Sequence, residues 1–214
     1  MTLIHAENVN LALPEGARRL HLYGELRQTR NGKALAVRGP FITVFENPKD
    51  RVLFSAERDC NPFFHLMESL WMLAGRHDVA FPSIFNSNIA QYSDDGIRFS
   101  GAYGYRWRKW FDIDQIDAAI LRLATDHETR RVVVQMYDAR NDIKIEEHGG
   151  LDIPCNLAIT FQVWRTEDSP PKLDMTVFNR SNDLIWGAYG ANVVHMTMLQ
   201  QLIAEAIDVE VGEY

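Results

Sequence analysis

Apolar residues recur along the chain with two periods, and the change of period marks the elements. In "NPFFHLMESLWMLAG" (61–75) they fall on nearly every side of a 3.6-residue repeat. The pattern predicts a central helix with Asn61 as its cap, Pro62 in its first turn and Gly75 as its stop. Phe63, Met67, Leu70 and Ala74 share one face, with Phe64 and Trp71 beside it. "DIDQIDAAILRLATD" (112–126) predicts an amphipathic helix. "ANVVHMTMLQQLIAEAI" (191–207) predicts another, with Met196, Leu199, Leu202, Ile203 and Ala206 turned inward. Strand-like runs stand at 130–138 ("RRVVVQMYD"), 155–165 ("CNLAITFQVWR") and 172–181 ("KLDMTVFNRS"), with Pro170-Pro171 in the turn between the last two. Residues 28–48 read as a hairpin turning at Asn31-Gly32. Residues 81–110 read as a turn-rich functional loop, and 138–152 as a polar connection. Strands close together with helices on either side predict an α+β domain, helices packed on a mostly antiparallel or mixed sheet.

Length and charge narrow this picture. A chain of 214 residues is expected to form one domain, 1–214, with a full core and no staples. No apolar run approaches the roughly 20 residues that cross a bilayer, and "MTLIHAENVN" has no signal-peptide pattern, so a cytoplasmic location without membrane attachment is expected. The two cysteines, Cys60 and Cys155, make no disulfide framework. A formal net charge of -7 argues against nucleic-acid binding. Arginines cluster locally, in "YRWRKW" (105–110), "TRR" (129–131) and "NRS" (179–181). Such clusters in an acidic protein suit a small anionic ligand.

Several residues stand out as chemical candidates. Cys155, in "DIPCN", is either a buried inert thiol or a nucleophile. If the two flanking strands pair, Arg180 comes near it and supplies charge that favours thiolate. Glu68 sits inside the most apolar helix, where a carboxylate costs several kcal/mol unless neutral or paired. It is a candidate general acid/base or a residue on the helix's one exposed edge. Arg130 and Arg131 are adjacent on a strand and point to opposite faces, so they form a solvated strand end or a phosphate clamp reaching a neighbouring subunit. "RSND" (180–183) and "WGAYGAN" (186–192) gather Arg180, Ser181, Asn182, Asp183 and Asn192 between a strand and a helix. These residues can read a planar polar ligand, or serve as ordinary helix caps. A Cys155–His195–Asp183 hydrolase triad carries little weight, because His195 lies within an apolar helix and no matching motif surrounds Cys155.

Taken in order from about residue 28 to 214, these motifs resemble the thymidylate synthase family, which includes the pyrimidine hydroxymethylases. "MESLWMLAG", "GAYGYRWRKW", "TRRVVVQMYD", "IPCN" and "NRSND" are each similar to a family motif. The resemblance implies Cys155 as nucleophile, Glu68 as the base that orders water, and Tyr103 as the active-site tyrosine. It implies Arg180 and Ser181 for phosphate, with Arg30 as a weaker match to a further phosphate arginine. Asp183 and Asn192, with Asn182 beside them, are implied for the base. It further implies a homodimer in which Arg130 and Arg131 cross to the partner, and 5,10-methylenetetrahydrofolate as cofactor; no metal is expected. The expected reaction is one-carbon transfer to C5 of a pyrimidine deoxynucleotide through a Cys155–C6 adduct, giving a methyl or a hydroxymethyl group.

The departures bear on which reaction. Asn156 stands where thymidylate synthases usually have His, the loop "GAYGAN" is one residue longer, and a tryptophan expected around 86–92 is missing. The sequence stops at "EVGEY", just before the family's ribose-binding and folate-closing segment, so that segment is either absent or lies beyond the sequence given. Together these weaken the match to a standard thymidylate synthase and point to a hydroxymethylase or a relative with altered substrate, with methyl and hydroxymethyl products both left open. An asparagine amide donates to O4 and accepts from N3–H of uracil, which favours dUMP over dCMP. The alternatives are a dCMP hydroxymethylase and a non-catalytic nucleotide-binding relative.

Overall fold

A computed structural model describes residues 1–29 and 32–214. Arg30 and the Asn31 half of the expected turn lie outside the described residues. The scaffold is a four-stranded sheet in the order β5-β6-β7-β8, formed by β5 (Val133–Gln135), β6 (Asn156–Thr166), β7 (Ser169–Asn179) and β8 (Glu210–Val211). β6 pairs antiparallel with both β5 and β7, and β8 runs parallel to β7. One sheet face is buried, and its Val134, Ile159, Phe161, Leu173 and Met175 interlock with α7 (Asn192–Ala206), α5 (Gln115–Thr125) and α2 (Pro62–Leu73). A second cluster joins a parallel pair, β1 (Thr2–Ala6) and β4 (Phe41–Phe45), to α1 (Val9–Tyr23) and the start of α7. α7 is thus shared by both cores, which explains why its Met196, Leu199 and Ile203 are fully buried. The α+β fold with a mixed sheet is as expected.

Local differences have physical causes. The hairpin is β2 (Gly24–Thr29) with β3 (Gly32–Val37), and β4 leaves it to pair with β1. Asn61 caps α2 through a bond from the Phe64 N–H, as the sequence predicts. Yet Phe63, Leu70 and Ala74 are exposed, and the buried side is Ser69, Trp71 and Met72. A helix apolar on all sides carries no periodicity to choose its inward face. At α7, Leu202 is half-buried and Ala206 exposed, not core. The polar connection contains a helix, α6 (Ala139–Glu147), capped by Asp138. The chain at 81–110 holds α3 (Ala80–Ser83), a 3₁₀ turn over Ser87–Tyr92, and α4 (Tyr103–Arg108). Pro170 and Pro171 lie within the first residues of β7, past the Thr166–Ser169 turn. Gly104 lets α4 touch α2: a Cβ there would overlap the Met72 carbonyl.

Candidate active site

Cys155 precedes β6, and its surroundings follow from the β6–β7 register. Asn156 lies opposite Asn179, so Arg180 follows directly beside Cys155. The Arg180 N–H donates to the Cys155 carbonyl at 2.9 Å. Its guanidinium donates from Nε to the Pro154 carbonyl (3.0 Å) and from Nη2 to that of Ile153 (3.1 Å). A permanent cation is therefore fastened to the turn that carries the thiol. Tyr103, first residue of α4, faces the same place. Loss of water around its phenol and the nearby Cys155 push its pKa above the ordinary tyrosine range, against the pull of an Asn156 N–H bond and the Arg180 charge. Asn156 is fully buried, with Nδ2 on Asn179 Oδ1 at 3.2 Å and Oδ1 unpaired.

The next group sits where β7 runs into α7. The Asp183 carboxylate accepts from the N–H groups of Ile185 (2.9 Å) and Trp186 (2.7 Å), the capping role the sequence left open. The residues Leu184–Ala191 form a wide π-type turn, with Gly190 outside helical geometry. Asn192 thereby opens α7, and its Nδ2 donates to Asn182 Oδ1 at 3.1 Å. A Cβ on Gly187 would run into that asparagine pair. Trp186 is 69% exposed, and the Arg58 guanidinium lies over its ring at 3.8 Å. One turn into α7, the His195 Nε2 approaches Glu68 Oε2 at 3.0 Å, with side chains 2% and 13% exposed. That is ion-pair distance, but the angle is not that of a hydrogen bond, and neither ring nitrogen makes one. Glu68 is thus paired and largely buried, not on an exposed helix edge. His195 answers to Glu68, and no contact ties it to Cys155 or Asp183 as a triad would.

Arg130 and Arg131 are not brought to this place. Both are exposed at the head of β5. Val133 lies opposite Thr160, five residues along β6 from Cys155, so the arginines stand beyond about 17 Å from the thiol. Ser181 and Asn182 are exposed beside Arg180.

Three features escaped the sequence reading. Arg106 and Asp142 form a bidentate pair at 0% exposure, and Arg106 also holds the carbonyls of Ser100 and Met136. Asp152 is buried against the Ser100 and Gly101 N–H groups; burial and the neighbouring Asp94 carboxylate hold its pKa up at about 6. His65, one turn before Glu68, is pushed down to about 4, first by burial and then by the His195 charge.

Asp152 and His65 give opposite pH effects. Asp152 ionises at 3.8 when unfolded and about 6 when folded, so the folded state holds the extra proton between these values. Its contribution to stability falls as pH rises through that window, by at most about 3 kcal/mol. His65 is neutral when folded down to about 4, against 6.5 unfolded, so its contribution is present above 6.5 and lost as pH falls towards 4. The two oppose each other in the wild type. Urea melts of Asp152→Asn against wild type are expected to show the variant gaining in relative stability from pH 4 to 6; a pH-independent difference would contradict the assignment.

Among the described residues no group of three or more His, Cys, Asp or Glu is arranged to hold a metal ion, and no helix is long and apolar enough to cross a membrane. The chain belongs to the thymidylate synthase family, whose model, "Thymidylate synthase", matches residues 22–214. It is 49% identical to the deoxyuridylate hydroxymethyltransferase of Pseudomonas phage M6 over 100% of this chain and 59% of that protein. It is 36% identical to the protein of that name from Bacillus phage SP01 (93% of this chain, 55% of that one), and 32% to that from Delftia phage PhiW-14 (99% and 59%). The chain spans a little over half the length of these relatives.

Proposed function

We propose that this chain is the catalytic unit of a folate-dependent hydroxymethyltransferase acting on dUMP. The observation that carries the reading is the Arg180 guanidinium, fixed to the two carbonyls ahead of Cys155. It supports a nucleophile with a fixed cation beside it and a nearby anion site at once. The three phage relatives, all named deoxyuridylate hydroxymethyltransferase, favour hydroxymethyl over methyl and dUMP over dCMP.

In this reading Cys155 Sγ adds to C6 of the pyrimidine and leaves the base as an enolate nucleophilic at C5. Arg180 and Ser181, joined by Arg30, hold the phosphate. Asn192, its amide oriented by Asn182, accepts from N3–H and donates to O4 of uracil, with Asp183 alongside. Tyr103 packs beside the thiol. 5,10-Methylenetetrahydrofolate, when bound, supplies the one-carbon unit to C5. The exposed Trp186 ring, backed by Arg58, fits such a planar heterocycle. Once the C5 proton is lost and the folate leaves as tetrahydrofolate, the exocyclic carbon is a methylene conjugated with the ring carbonyl; water adds to it through oxygen, the water proton passes to Glu68, and the electron pair delivered to the ring breaks the S–C6 bond and frees the Cys155 thiolate.

Residues 1–214 act here as one domain, and two copies as a homodimer. Val133, Trp164 and Phe178 are exposed on one face of the sheet, and Arg131 alternates onto it. Joining two such faces covers the apolar patch and carries the arginines to the partner's phosphate. Sedimentation that shows only monomer at micromolar concentration sinks this part.

The chemical test is to incubate the protein with dUMP and 5,10-methylenetetrahydrofolate and weigh the nucleotide. A hydroxymethyl mass gain without dihydrofolate absorbance is expected. A methyl gain with that absorbance overturns the choice of water over hydride. No product from dUMP or dCMP overturns the enzyme.

A further inference from the structure

Glu68 does not stand alone. Its carboxylate is met from α7 by His195 Nε2 at 3.0 Å, and His65 lies on its own helix one turn earlier. The two imidazoles meet edge to face, with ring centres 6.3 Å apart and planes at 82°. Arg58, from the segment before α2, adds its charge to His65. Both nitrogens of the buried His195 ring lack hydrogen bonds, an expensive arrangement for a purely structural residue. Burial holds His65 neutral at physiological pH, with its pKa near 4. His195 is the histidine of the pair whose ring nitrogen reaches the Glu68 carboxylate. It also stands three residues after Asn192 on the same helix, so one rigid element carries both the base-reading amide and the contact to Glu68.

We propose that His195 is a positioning residue: its imidazole, with Nε2 3.0 Å from Glu68 Oε2, holds the carboxylate in the orientation from which it takes the proton of the attacking water. The inference rests on the hydroxymethyltransferase reading above. It assigns His195 to the step in which the C–O bond forms and the S–C6 bond breaks, and not to the earlier attack of Cys155 on C6. Losing His195 therefore slows product formation and leaves formation of the Cys155 adduct intact.

The experiment compares wild type, His195→Gln, His195→Asn, Glu68→Gln and the His195→Asn/Glu68→Gln double variant. The readouts are kcat and KM for dUMP, and trapping of the Cys155 adduct with 5-fluoro-dUMP and the folate. His195→Asn is expected to lose about 10²-fold in kcat with KM and adduct trapping preserved. Glutamine places an amide N–H where Nε2 stands, so His195→Gln is expected to recover a large part of that loss, whereas asparagine is too short. The double variant is expected to be no slower than Glu68→Gln, because the two residues act as one unit. Additive losses, equal behaviour of the two His195 variants, or kcat within a few-fold of wild type overturns the proposal. If adduct trapping fails along with kcat, His195 supports the fold and the proposal falls too. Failure of the parent reading looks different: the wild type itself then makes no hydroxymethyl product, and the inference falls with it.

Discussion

Cys155→Ala is expected to lose at least about 10⁴ in turnover of dUMP and all covalent trapping of 5-fluoro-dUMP, while the nucleotide still binds. The reason is chemical. C5 of uracil does not attack a one-carbon donor until a nucleophile has added at C6, and no neighbouring side chain replaces the sulfur. Cys60 belongs to the other core, packed against the β1–β4 cluster. Binding is expected to survive because the side chains proposed to hold the phosphate and base do not depend on Sγ. Arg180 grips main-chain carbonyls, and Asn192 is oriented by Asn182. Mass spectrometry of the denatured protein reads the adduct, and calorimetry the binding. Substantial residual turnover moves the nucleophile elsewhere. The same variant tests the dimer. Arg131→Ala carries an intact thiol but no donated arginine, so mixing it with Cys155→Ala and allowing subunits to exchange restores turnover if the arginines act across the interface. No recovery confines Arg131 to its own chain.

The parts of this site that were legible in the sequence are those fixed by strand register and capping. Antiparallel pairing of "CNLAITFQVW" with "KLDMTVFNRS" was enough to bring Arg180 to Cys155, because a period-2 pattern leaves little freedom in register. The helix at 61–75 was legible in its limits, since Asn61 and Pro62 mark its start. Its inward face was not, because apolar residues surround it. α6 is illegible for the opposite reason: "ARNDIKIEE" shows only Ala139, Ile143 and Ile145 as apolar, and what buries its inner side is the charged Asp142. The Glu68–His195 contact was equally hidden. It needs α2 to cross α7 at one particular point, and nothing local to either helix records that crossing. β1 and α1 are not legible in the sequence although β1 alternates buried and exposed residues, because its partner β4 is distant in sequence and reads as an arm of the hairpin.

Asp142→Asn is expected to destabilise the fold by about 3–5 kcal/mol, because it strands the Arg106 charge in a place water cannot reach. Both Arg106 oxygens-to-nitrogen contacts with Asp142 are short, 2.8 Å at Nη1 and 2.6 Å at Nη2, and the pair is fully buried. Arg106 also stacks on Trp110 with 4.1 Å between guanidinium carbon and ring centre. The Asp142 carboxylate further accepts from the Asp138 N–H, so the substitution also disturbs the start of α6. Replacing both partners by apolar residues, as in Arg106→Met with Asp142→Leu, is expected to be milder than Asp142→Asn alone, since no buried charge then remains. The function follows from what the pair ties together. Arg106 belongs to the helix that Tyr103 opens, it grips the Ser100 carbonyl just ahead of that tyrosine, and Asp142 lies on the segment leading to Cys155. The double variant is therefore expected to regain stability without regaining kcat, because packing replaces the charge but not the bonds that aim Tyr103. Denaturant midpoints and turnover measured on the same preparations separate the two effects, and a double variant that recovers both reduces the pair to a contribution to stability alone.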